Sequence, residues 1–579
     1  MKFTSTRLAS ALAVALVVGV GPAVAQSQAS PNATINLIRL LVQQGVLKQD
    51  QADALVQQAE SEAAEAQKAQ AQAAPAHQVG AAGAAVAQPG DVRVTYIPES
   101  VRDSIRDQVK AEVMVQAKAE NWAQPNTFPD WVSRITVEGD VRARYESRLY
   151  DSYNSDTIVD FNDWNRNGPV PVVVNGQDYP LEMPFLNTRK DRRNMMRARA
   201  RLGVKAQISD QWMAGIRLAT GSDDSPVSTT QTLGGGMDKK DIWLDQAYIT
   251  YRPAQWASIT AGRGANPFVS TNMLYSDDLN FDGISAQFKQ ALQDSPVTLF
   301  GSLGAFALEN TFGSWSDSSW SEGETENKWL FGAQIGARWE LDKRNTLTGA
   351  LAYYRFDNIE GQRSSPCLTT SAVCDTDWSR PAFMQHGNTV FLLRDLMAAV
   401  PGNPADPAND QYQYVGLASK FNLLDVNLIW DTQIFDGMGL RLHGNYVRNL
   451  AYDEDKMVSR AGGINNVANN RTGANNDSIE SGPNAWMLQA SLGRGLDLRA
   501  QGDWMVFAGY KYIQPDAMPD GYNDSTFHLG GTNARGYFLG GGYAFDKNVY
   551  GLLRWTSTKE VYGAPYSVDV LQAEVNARF

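Results

Sequence analysis

Cationic side chains recur at intervals of two in the chain: Arg142 and Arg144, then Arg197, Arg199 and Arg201, with Lys205 and Arg217 following. That interval places them on one face of an extended strand. The residues between them are apolar. Met196, Ala198, Ala200, Leu202, Val204, Ala206 and Ile208 form the opposite stripe of one segment, and Ile135, Val137, Val141, Ala143 and Tyr145 that of another. An arginine facing lipid at the bilayer midplane costs about 2–4 kcal/mol, so the cations belong on a water-facing side. There they would offer anions successive weak sites. The competing reading is mechanical: Glu138, Asp140, Glu340, Asp503 and Glu574 pair with the arginines and brace a wall. The two are compatible, because a basic wall opposite an acidic loop also sorts solutes by charge. Asp277, Asp278 and Asp282, in the segment 264–282, are the candidates for that acidic side. This segment reads either as an inward-folded constriction or as an ordinary exposed acidic loop.

Bond-making chemistry finds little support. The four histidines are His77, His386, His443 and His528. Only His443 falls on an expected strand, where polar lining is the plainer reading than a Ser/His hydrolytic pair. The glycines at 234–236 and 540–542 lack the Gly-Lys-Ser/Thr of a phosphate loop, and the second group reads as a packing or bending device. Neither a cofactor motif nor a set of metal ligands stands out. Cys367 and Cys374, seven positions apart in a Pro/Ser/Thr-rich stretch, suit a local disulfide in an exported protein. A metal site with His386 is the weaker alternative.

These residues need a scaffold. The chain ends Leu571-Gln572-Ala573-Glu574-Val575-Asn576-Ala577-Arg578-Phe579, with apolar and polar residues strictly alternating. One face suits lipid and the other water. Such a strand with a terminal aromatic carboxylate resembles the insertion signal of bacterial outer-membrane barrels. At the other end, Lys2 and Arg7 precede an apolar run from Leu8 to Val20 and the small-x-small triplet Ala23-Val24-Ala25. This reads as a signal peptide over 1–25, with a membrane anchor as the alternative. Mean hydropathy is −0.35, and no later run approaches the ~18 apolar residues of a spanning helix. Alternating strands escape that test. The aromatic content of 10%, with 15 Trp and 22 Tyr, fits interfacial girdles. The net charge of −12 argues against nucleic-acid binding.

Residues 26–128 read differently. Helices are expected over 34–44 and 49–60, separated by Gly45, then an Ala/Gln/Gly-rich linker, then an amphipathic helix over 99–121. The last of these either packs on the barrel's periplasmic end or forms a short coiled coil. From 129 to 579 the period is two. Sixteen strands are expected, from 133–149 and 192–209 to 548–558 and 567–579, and the segment 414–434 is long enough to hide a break. Short turns at 209–210, 342–343, 436–437 and 546–547 alternate with long loops at 150–191, 221–240, 308–326, 358–411, 452–483 and 514–534. That is the pattern of an all-β, up-and-down antiparallel transmembrane barrel. An even strand number puts both barrel ends on the periplasmic side. A soluble sandwich or propeller is the runner-up, and the strands are long for either.

Pro129-Asp130-Trp131, Arg134-Ile135 and Gly139-Asp140-Val141-Arg142-Ala143-Arg144 resemble the start of the barrel in the Gram-negative putative porin family. Arg197-Ala198-Arg199-Ala200-Arg201, Asp245-Gln246-Ala247-Tyr248, Ala261-Gly262-Arg263 and Gly502-Asp503-Trp504 resemble further stretches of it, in the same order. The resemblance implies a passive outer-membrane channel for small hydrophilic solutes or ions, embedded in lipid and lipopolysaccharide. A homotrimer is implied by analogy with other sixteen-stranded porins. The rival expectation is a tether whose periplasmic helices bind cell wall or a partner while the barrel only anchors them.

Overall fold

The computed structural model describes residues 130–178, 183–189, 193–310, 326–435 and 437–579. The expected signal peptide, both N-terminal helices, the linker and the helix over 99–121 lie outside them.

Sixteen strands form the wall: β1 Ile135–Tyr150, β2 Arg193–Gln207, β3 Trp212–Thr220, β4 Ile242–Ala254, β5 Ala257–Ala265, β6 Asn280–Ala291, β7 Val297–Glu309, β8 Lys328–Glu340, β9 Asn345–Asp357, β10 Asn422–Ile434, β11 Met438–Asn449, β12 Asn484–Arg494, β13 Trp504–Ile513, β14 Ala534–Asp546, β15 Val549–Glu560 and β16 Ser567–Arg578. Each pairs antiparallel with its sequence neighbours. The sheet closes because β1 also pairs with β16, from Asp140 opposite Arg578 to Tyr150 opposite Val568. The terminal Phe579 exchanges two 3.0 Å backbone hydrogen bonds with Gly139. A side chain at Gly139 would collide with the Phe579 ring, so the glycine makes room for the aromatic end of the chain. The segment 414–434 does break. Val415–Leu417 pairs with Val390–Leu392 among the loops, and the wall strand begins only at Asn422.

Period-two alternation settles the two faces of the wall. Val137, Val141, Met196, Leu202, Val204 and Val575 are exposed on the outside, whereas Arg142, Arg144, Glu146, Gln572 and Glu574 are buried on the inside. Aromatic residues mark both ends of the outer band. Trp212 stacks on Tyr251 at 4.6 Å near the short-turn rim, and Trp486 on Tyr510 at 5.4 Å near the other.

The connections at 208–211, 255–256, 292–296, 341–344, 435–437 and 547–548 are tight, and both chain ends of the barrel lie on their rim. The opposite rim carries the long segments 151–192, 221–241, 358–421, 450–483 and 514–533. These interlock. Trp164, on the short helix Phe161–Asn167, donates its indole N–H to the Gln413 carbonyl at 2.8 Å. Cys367 and Cys374 are bonded to each other, stapling the longest of these segments, and beside them Arg394 and Asp377 form a buried ion pair at 2.6 Å. Loop residues Met384, Val390, Val415 and Met518 share one apolar core with Phe268, Met273, Tyr354 and Leu423. The core of this barrel is therefore inside it, toward the long-loop rim. Each large side chain buried there contributes about 1.5–3 kcal/mol.

Candidate functional site

Strands β1, β2, β3 and β16 turn their charged faces into the lumen. The register places Arg142 opposite Arg199 and Arg144 opposite Arg197, a like-charge arrangement that destabilises a sheet unless bridged. Carboxylates supply the bridges. Arg144 meets Glu574 at 2.5 Å, and Arg197 and Arg148 converge on Glu146 at 3.2 and 2.8 Å. Arg199 and Arg201 share Asp140 at 2.8 and 2.7 Å. Lys205 pairs with Glu138 at 2.7 Å and Arg217 with Asp245 at 2.5 Å. The expected row of cations is thus in one sector, and each member has an acidic or hydroxyl partner; Arg142 donates to the Thr230 hydroxyl at 2.5 Å. Of the remaining acids expected as braces, one pairs with an arginine of its own strand, β8, and among the described residues the other does not meet an arginine side chain. Glu340 lies 3.8 Å from Arg338, and Asp503 accepts the backbone N–H groups of Arg499 and Ala500.

The segment 266–279, between β5 and β6, leaves the wall and crosses the lumen. Gln334 on β8 bonds both the N–H and the carbonyl of Val269 at 2.8 Å. The Thr271 hydroxyl donates to Asn445 on β11 at 2.6 Å, and Asn272 accepts from Lys511 on β13 at 2.7 Å. At its far end Asp278 reaches Arg199 and Arg201 on β2, at 3.5 and 3.2 Å. Its second oxygen accepts from the Thr229 N–H and hydroxyl at 3.1 and 2.9 Å. Polar anchors on strands so far apart require the segment to span the interior. Apolar contacts hold it there: Met273, Leu274 and Tyr275 are buried, and Phe268 meets Tyr354 edge-on at 5.0 Å. Gly332 leaves the space for that ring, since an added Cβ would lie 2.5 Å from it. The segment 266–279 thus lies inside the barrel and not on its rim.

The three acids expected there have separate fates. Burial works to raise Asp278, but the Arg199 and Arg201 guanidiniums outweigh it and hold the carboxyl below the usual range. Desolvation inside the lumen pushes Asp277 above that range although its side chain faces open space, and Asp524 and Asp278 add to the shift. Asp282 sits on β6 and pairs with Arg263 at 2.8 Å, away from the other two.

The rest of the lumen near β11–β15 is open. A cavity of about 640 Å³ is lined by Asp277, His443, Phe507, Lys511, Phe538 and Arg554, among others. His443 bonds Asn427 at 3.1 Å as ordinary polar lining. His386 and His528 lie in the loops with their rings 5.4 Å apart. Lys511, Asp524 and the aromatic pair Phe507 and Phe538 were not among the expected site residues. Strand parity alone marks Lys511, Phe507, Phe538 and Arg554 as inward-facing; nothing in the sequence brings Asp524 to them.

A family model described as putative porin matches residues 31–579. Solved structures of similar fold include the outer membrane channel DcaP of Acinetobacter baumannii, with 11% identity over 77% of this chain and 97% of that one, and a TM-score of 0.35. Pseudomonas putida OprB shows 11% identity over 77% and 95%, with a TM-score of 0.40. Salmonella typhi OmpF in complex with daunomycin shows 11% identity over 77% and 97%, with a TM-score of 0.36. No curated protein sequence matches this chain.

Proposed function

This chain belongs to the putative porin family, and from that premise we propose that it is a passive outer-membrane diffusion channel for small hydrophilic solutes and ions. The observation that carries the proposal is the closed barrel crossed by one segment, with an aqueous cavity of about 640 Å³ left between that segment and β11–β15. Solutes pass on this open side. The opposite side is occupied by the ion pairs between β1, β2, β16 and Asp278.

Those pairs bear on ion preference. A guanidinium with its own carboxylate projects little field into the channel, so the row from Arg142 to Arg217 braces more than it attracts. The weak anion preference we propose comes instead from Lys511 and Arg554, which form no ion pair among the described residues. Lipid surrounds the outer band, and the long-loop rim faces the lipopolysaccharide leaflet. The chain enters β1 on the short-turn rim, which we place toward the periplasm. Assembly as a homotrimer completes the proposal, and chemical crosslinking in membranes tests it.

Planar-bilayer recording of the purified protein tests the channel. Stable conductance steps, with a reversal potential in a salt gradient on the anion side of zero, are expected. A barrel that inserts and stays silent would overturn the reading.

A further inference from the structure

The cavity beside β12–β15 has a composition unlike the rest of the lumen. Its wall at Met505, Phe507, Phe538 and Leu552 is apolar, although these are inward positions of a water-filled barrel. Lys511 and Arg554 line the same cavity. Lys511 is 3% exposed, donates to Asn272 at 2.7 Å, and lies 5.0 Å from the Phe527 ring centroid. The Arg554 guanidinium lies 5.6 Å over the Phe507 ring and, unlike Arg144 and Arg197, forms no ion pair among the described residues; its Nε, like theirs, is buried without a hydrogen-bond partner there. A buried charged donor without an acceptor is costly. Acids line the same cavity too. Asp524 accepts the Thr526 N–H at 2.9 Å, and Asp277 is exposed to the cavity. Lys511 has one acceptor for its three N–H donors and the Arg554 Nε has none, so the chemistry that completes them is an anionic acceptor. The surface next to them favours an apolar, flat body.

We propose that this cavity is a binding site for small monocarboxylates with an aromatic or similar apolar body. The carboxylate sits between Lys511 and Arg554, and the body lies against Phe507 and Phe538. A second carboxylate on the solute would meet Asp277 and Asp524, which disfavours dianions. The inference rests on the reading of the lumen as a solute path, and it names the solute class that the path retains longest. Pores that select solutes need such a site to be weak enough to release them.

Titration calorimetry of the full-length protein in detergent tests the site without requiring conduction. Phenylacetate is expected to bind at least tenfold more tightly than acetate and than phenylsuccinate. Arg554→Gln and Phe507→Ala are each expected to weaken phenylacetate at least tenfold, with Arg554→Lys and Phe507→Leu recovering part of the loss. Heat-modifiable gel migration confirms that each variant is folded. Equal affinities for phenylacetate and acetate in the unaltered protein would overturn the site even if a variant failed to fold. In bilayers, phenylacetate is expected to interrupt the ion current at lower concentration than acetate. Conduction with no such preference removes this inference and leaves the channel. Selective binding to a barrel that does not conduct leaves the site and removes the channel.

Discussion

The two sides of the lumen solve the same problem in opposite ways. Along β1, β2, β3 and β16, inward positions are charged and almost wholly matched: Glu146 serves Arg148 and Arg197, and Asp140 serves Arg199 and Arg201. Along β12–β15, inward positions are largely apolar, and the two cations, Lys511 and Arg554, have no acid within ion-pair distance among the described residues. The segment 266–279 lies between the two sides and bonds to both. Charge in a narrow barrel does not by itself identify the transport path. A cation held by its own carboxylate is structural, and a cation without one is available to solute.

The most severe way to break this contrast is to remove a shared acid. Glu146→Gln leaves Arg148 and Arg197 buried without their counter-charge, a loss of about 3–5 kcal/mol by the usual cost of breaking a buried pair. A large drop in the denaturant midpoint is expected, whereas Met505→Ala on the opposite wall should lower it less. Next, Arg197→Glu with Arg199→Glu places new acids beside Glu146 and Asp140. The reversal potential in a salt gradient should move toward cations, and an unchanged value would mean that this face is sealed from the ion path. Gly332→Val pushes on the Phe268 ring, an overpacking cost of about 1–3 kcal/mol. It should loosen the crossing segment and raise single-channel conductance.

The smallest effect concerns pH and the long-loop rim. Asp520 lies buried in the loop 514–533 with one oxygen unpartnered, and burial raises its pKa from 3.8 to about 7, with nearby Asp516 adding. An acid raised in the folded state favours folding most when protonated. The Asp520 contribution to loop docking should therefore be greatest below about pH 4, weaken as pH rises toward about 7, and then level off, while His528 and His386, held neutral by burial, oppose it on the acid side. Proteolytic nicking of the loop at pH 5 and pH 8 measures this, and Asp520→Asn should reduce the difference, the remainder coming from Asp516, whose pKa burial raises to about 6. Asp278 works in the opposite direction. Its depressed carboxyl stabilises the crossing segment above the usual carboxylate range, and that contribution is lost on acidification.

Much of this was legible in the chain. The stripe Arg197, Arg199, Arg201 against Met196, Ala198, Ala200 identified an inside and an outside, because a strand offers only two faces and lipid tolerates only one of these sets. The same parity pointed Arg554 inward. It could not show that Glu574, more than four hundred residues from Arg144, would lie 2.5 Å from it, because that contact exists only once β1 and β16 meet. Nor could it decide between the inward and exposed readings of 264–282. The anchors of that segment are Gln334, Asn445 and Lys511, single polar residues on distant strands with no sequence mark to distinguish them from ordinary lining.

The order of residues along the chain is enough to specify the barrel, its strand number and which face of each strand meets lipid. These follow from local alternation and from the cost of placing charge in hydrocarbon. Which charges cancel and which remain, and where the crossing segment lies, are settled in three dimensions. Those outcomes depend on closure, which brings remote carboxylates, guanidiniums and rings to within a few ångströms of one another.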